Sequence, residues 1–187
     1  MNTVTKYVDP QLDAKIIQQL QTILEDETSW LETVYPLAYV GLNNLNDKEV
    51  KYPRVYLNNG GREYIDIRPS DDQNAFAFFE LDDPIQTIQG EELSYNISLI
   101  VWYDLKKVNT SKQYDYSREL IQDILRVFNE SDYKENIQLT NIEVNPENIF
   151  NKYSFKQTDN QFLMFPYGAF KINFEYNDIE AINCNAF

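Results

Sequence analysis

Hydrophobic residues recur at two periods along this chain, and the periods divide it into helices and strands. Leu12, Ile16, Leu20, Ile23 and Leu24 fall at helical spacing behind Asp9-Pro10, a carboxylate N-cap with proline at the first helical position. They predict a helix that ends between Glu25 and Thr28 and packs by one stripe. A second stripe, Leu120, Ile121, Ile124, Leu125 and Phe128, predicts a helix from about Tyr114 to Asn129, with Arg126 one turn from Asp123.

Between and after these stripes the period drops to two. Tyr35 to Leu42 reads as a short strand or extended arm, and Ala75 to Leu81 as a strand. Pro53 to Leu57 and Glu63 to Ile67 flank Asn58-Asn59-Gly60-Gly61, residues that tolerate positive φ, and so predict a hairpin. The strongest alternation is Leu93, Tyr95, Ile97, Leu99, Val101 and Tyr103 against Ser94, Asn96 and Ser98, a long strand with one core face. Ile100 and Trp102 make its second face apolar locally, so that face should meet another element or another subunit. Ile137 to Val144 and Phe162 to Tyr176 read as closing strands, the first ended by Asn145-Pro146 and the second interrupted by Pro166-Tyr167-Gly168. The polar stretches Asp82 to Glu92 and Asn148 to Asn160 read as loops, and 177–187 as a tail.

Strands joined by short turns favour antiparallel pairing. The expected fold is therefore α+β: a mainly antiparallel sheet with two amphipathic helices packed on one face. The length of 187 residues fits a single domain, 1–187, with its core over about 9–176. Hydrophobic residues make up 43% of the chain, enough for a packed core without disulfide or metal.

Charge and rare residues narrow the chemistry. Sixteen basic against thirty acidic side chains give a net charge of -14, with no basic cluster beyond Lys106-Lys107. Wrapping of nucleic acid and binding to an anionic membrane are both disfavoured. The chain has no histidine, which closes Ser-His-Asp and Cys-His catalysis and the usual catalytic zinc sites. Cys184 is the one cysteine, so no intrachain disulfide forms, in keeping with a reducing compartment. The start of the chain lacks a signal-peptide pattern. No catalytic residue, cofactor site or metal site is expected.

Two features remain as candidate surfaces. The doublets Asp71-Asp72, Asp82-Asp83 and Glu91-Glu92 read first as solvated loop charges, because neighbouring acids on a strand point to opposite faces and do not converge on one ion. The window Asp66 to Glu92 holds eight acids and one base, half of the net charge. That concentration suits solubility, or a channel lining along which DNA slides without sticking. The second feature is a crowd of aromatics in the last third of the chain. Trp102, Phe162, Phe165, Tyr167 and the terminal Phe187 are the candidates for a subunit interface, against the alternative of ordinary core packing.

The order of elements resembles tail-terminator and tail-completion proteins of tailed bacteriophages: a leading helix, a hairpin, the strand Leu93 to Tyr103, the helix Tyr114 to Phe128 and the closing strand Phe170 to Tyr176. The abundance of asparagine and tyrosine also resembles proteins of crAss-like phages. The resemblance implies a virion protein of the neck or tail that forms a homo-oligomeric ring, twelvefold rather than sixfold. Such a ring joins the portal or adjacent ring proteins to the tail and lets DNA pass without specific binding. The long acidic stretch Asp82 to Glu92 and the longer C-terminal end depart from that pattern. Two readings compete: an acidic DNA mimic that inhibits a nucleic-acid-binding protein, motivated by the charge, and, ranked last, a carboxylate-dependent hydrolase.

Overall fold

A computed structural model describes residues 13–45, 47–58, 62–81, 86–88, 92–154 and 164–178. Helix α1 (Asp13–Glu27) leads into strands β1 (Thr33–Leu45), β2 (Lys48–Asn58), β3 (Arg62–Asp66), β4 (Ala75–Leu81), β5 (Gln86–Ile88) and β6 (Glu92–Asp104). There follow one helical turn α2 (Leu105–Val108), helix α3 (Ser117–Glu130), β7 (Ile137–Glu143), a second single turn α4 (Pro146–Ile149) and β8 (Tyr167–Asp178). The fold is α+β, with a sheet in the order β3-β2-β1-β4-β6-β8-β7 and β5 paired to the start of β6. All recorded pairs are antiparallel except β1 with β4.

The alternation of β6 sets the layers. Tyr95, Ile97, Leu99, Val101 and Tyr103 share one face with Ala75, Ala77 and Phe79 of β4 and with Phe170, Ile172, Phe174 and Tyr176 of β8. Onto this face pack Ile16, Ile17, Leu20 and Leu24 of α1 and Leu120, Ile124, Val127 and Phe128 of α3. Both helices thus cover one face, as the two stripes require. The indole of Trp30 donates to Asp123 Oδ2 at 2.8 Å and ties the end of α1 to α3. Arg126 bonds Asp123 at 2.7 Å and also Glu130 at 3.0 Å.

The other face is covered by the chain itself. Thr33, Val34 and Leu37 of β1 pair with β4, and Ala38 to Leu45 pair with β2 instead. Pro36 lies in the irregular step where the register shifts, a position proline tolerates because no ladder donor is needed there. Ala38 and the β2 residues Val50, Tyr52 and Val55 form a second core with Phe76, Phe78, Ile100 and Trp102. Ile149, Phe150 and Tyr153 close that core from the side of α4, and Ser154 N donates to Lys51 O at 2.9 Å. Trp102, expected at a subunit interface, is instead fully buried at 0% exposure, stacked on Phe76 at 5.3 Å. The apolar second face of β6 meets other elements of the same chain.

Several expectations change in detail. The arm at Tyr35 to Leu42 is the middle of a thirteen-residue strand, and a second hairpin joins it to β2 around Asp47, whose φ of 61° is left-handed. The hairpin of β2 and β3 stands, with Asn58 opposite Arg62; its turn, 59–61, lies outside the described residues. The stretch Asp82 to Glu92 contains the strand β5, so it is not a loop throughout. Asn145-Pro146 does end β7, but it also starts α4, with the Asn145 side chain accepting from Glu147 N. The expected helix start at Asp9-Pro10, most of the 177–187 tail, and Phe162 lie outside the described residues.

A Trp102→Ala exchange should lower stability by about 3–5 kcal/mol, because a large buried ring leaves a cavity that cannot collapse. Leu139→Ala, on the exposed edge strand, should change it by less than about 0.5 kcal/mol. Urea unfolding of both variants measures the contrast; similar midpoints for the two would refute the second core.

Candidate functional site

The end of β6, the start of β8 and the start of α3 line a groove of about 550 Å³. Tyr103, Gly168 and Ala169 line it from the sheet, Ile121 from α3, and Val144 and Phe165 from the connections around β7 and β8. Gly168 is required there by space. A β-carbon at this position would stand 2.7 Å from the Tyr103 ring, so any side chain displaces that ring. Val144 and Phe165 are 64% and 59% exposed, large apolar groups open to water at the mouth of the groove.

Charges stand beside this apolar lining. Asp115 accepts from Ser117 N at 2.9 Å and Ser117 Oγ at 2.5 Å, fixing the start of α3; those hydrogen bonds hold its carboxyl below the usual range. Arg118 follows it on the exposed helix surface. Glu119 pairs with Lys112, which lowers the acid and raises the base.

The candidate residues meet here in part. Tyr167, at the edge of the groove, donates to Asp71 Oδ1 at 2.5 Å and stacks on Trp102 at 5.7 Å. Phe165 lines the same groove two residues earlier. Three expected interface residues and one expected acid therefore form a continuous strip from the second core to the surface, in which Trp102 is the buried anchor. Asp72 is exposed in the turn beside Asp71. Asp82, Asp83, Glu91, Phe162 and Phe187 lie outside the described residues, and Glu92 opens β6.

Among the described acids of the acidic window, two are held by cations. Asp66 accepts from Arg54 Nε at 2.7 Å, Arg68 at 3.0 Å and Asn43 at 2.5 Å, and these partners bring its carboxyl below the usual value even though burial alone would raise it. Glu80 is buried, with Oε2 3.4 Å from Lys171 Nζ and 3.3 Å from Lys152 Nζ. Both carboxylates are neutralised by cations, unlike the free acids that a lumen lining requires. Among the described residues, no three His, Cys, Asp or Glu side chains gather as metal ligands, and no helix is long and apolar enough to cross a membrane.

A surface absent from the sequence reading is the β1–β2 hairpin. Tyr39, Val40 and Leu42 are about half exposed, the last at 54%. Leu42 lies opposite Lys51, and Asn44 opposite Glu49, so one face of the ribbon carries an apolar centre beside a cation and an anion. On the neighbouring positions Gly41 leaves room for the Arg54 guanidinium, whose Nε would lie 2.6 Å from a β-carbon there. Strand alternation does not signal this surface, because Val40 and Leu42 share a face with Ala38, which is buried.

No protein-family model, curated protein or solved structure matches this chain.

The bond to Asp71 pushes the Tyr167 phenol up to about 12, and burial does the same for Tyr103. A phenol whose folded value lies above its unfolded value of about 10 stabilises the fold below pH 10 and loses that contribution as pH rises to 12. Tyr167→Phe should remove one late-ionising tyrosine from the alkaline absorbance titration and flatten the loss of stability between pH 10 and 12. An unchanged late fraction would show that Tyr167 is not held by Asp71.

Proposed function

We propose that this chain is a structural component of a virus particle, a ring-forming protein of the neck or tail of a tailed phage. The observation that carries the reading is the pair of exposed apolar surfaces at different places in the fold. One is the groove at Val144 and Phe165; the other is the hairpin at Val40 and Leu42. Surfaces that differ from each other support head-to-tail contacts, which close into rings when the rotation permits and otherwise extend into filaments. The chemistry of the sequence fits the same role. A chain with a net charge of -14 repels DNA, as suits a conduit through which DNA moves. Asp71 and Asp72 belong to the exposed acids available for such a lining. Ring neighbours and the portal are the proposed partners, and the virion is the proposed location.

The purified protein should give, by native mass spectrometry in the micromolar range, one dominant species of fixed copy number, twelve rather than six. A monomer at every concentration up to the submillimolar range, with no binding to a co-expressed portal, would overturn this reading.

A further inference from the structure

On the reading of the chain as a ring component, two surfaces must meet between neighbouring copies. We propose that the β1–β2 hairpin of one copy seats in the Val144–Phe165 groove of the next, the occupant being a second copy of this chain. Three observations lead to this pairing. The first is position. β1 starts level with Phe76 of β4 and pairs with β2 alone beyond the level of Phe79, so the hairpin leaves the sheet at that end of the strands. The groove lies at the opposite end, where Tyr103 pairs with Gly168 and with Ala75.

The second is complementarity. The hairpin presents Leu42 beside Lys51 and Glu49, and the groove presents Val144 and Phe165 beside Asp115 and Arg118. Each surface offers an apolar centre with one cation and one anion, which allows Lys51 to meet Asp115 and Glu49 to meet Arg118. Glu119 is already engaged by Lys112 and is not needed. Charge pairs around an apolar centre fix the orientation more than they add affinity.

The third is the poor quality of the alternative contact, strand addition at the edge β7. That strand is interrupted by a bulge: Leu139 pairs with Phe174 and Asn141 with Asn173, leaving Thr140 as the extra residue. Thr140 Oγ1 donates to Asn173 O at 2.9 Å, and the bulge breaks the regular row of edge groups that a partner strand would pair with.

Because the two surfaces are distinct, each can be disabled separately. Leu42→Asp spoils the hairpin and leaves the groove; Val144→Asp spoils the groove and leaves the hairpin. Both positions are more than half exposed, so the fold should survive, which circular dichroism checks. If either variant fails to fold, Val40→Arg and Phe165→Glu replace the pair. With the wild type assembled, each variant alone should be monomeric by native mass spectrometry, and an equimolar mixture should give a one-to-one dimer, joined by the one intact contact. Assembly of either variant as in the wild type, or a mixture that stays monomeric, would overturn the hairpin–groove contact while leaving a ring in place. A monomeric wild type would overturn the contact and the ring together.

Discussion

The constraint on which the rest of this structure depends is that β6 is apolar on both faces over Leu99 to Tyr103. A strand in an ordinary two-layer α+β protein needs one cover. Here Leu99, Val101 and Tyr103 require one layer, and Ile100 and Trp102 require another. The helices α1 and α3 supply the first. The second comes from β1 and β2, which leave the main sheet after Leu37, and from the segment around α4. Burying an indole such as Trp102 contributes on the order of 1.5–3 kcal/mol or more, enough to hold this unusual path of β1. After β2 and β3 the chain crosses back and returns as β4 on the other side of β1, parallel to it.

This double cover also places the exposed surfaces. The hairpin exists because β1 extends past β4 to build the second layer, and Val40 and Leu42 lie on the part that finds no cover of its own. At the other end, Tyr167 stacks on Trp102 and reaches Asp71, which positions the start of β8 and the groove beside it. Core and candidate interface are therefore linked through one aromatic stack, Phe76 to Trp102 to Tyr167.

The helices, the alternation of β6 and the hairpin around Asn58 were legible in the sequence because each is a local pattern with a local cause. The destination of Trp102 was not, since an apolar second face predicts a cover without saying whether it comes from the same chain. The β1–β2 turn was missed although Asn46-Asp47 is turn chemistry, because Leu45 and Val50 make the surrounding segment look irregular. The acidic window shows the same limit. Counting charges along the chain treats Asp66 and Glu80 as surface groups, but Arg54, Arg68, Lys152 and Lys171 come from distant positions to neutralise them. Phe165 and Asp71 are exposed, yet the groove that Phe165 shares with Val144, and the strip that joins both to Tyr167, arise only from the tertiary fold.

The central claim, head-to-tail assembly through two separate surfaces, is tested most directly by hydrogen exchange of the wild-type protein at concentrations below and above assembly. Assembly through these surfaces should slow exchange around 39–51 and around the groove, at 115–121, 144–146 and 164–169, with β6 before Tyr103 and β8 beyond Ala169 equally protected in both states. Protection confined to β7, or none at either region in the assembled protein, would contradict it.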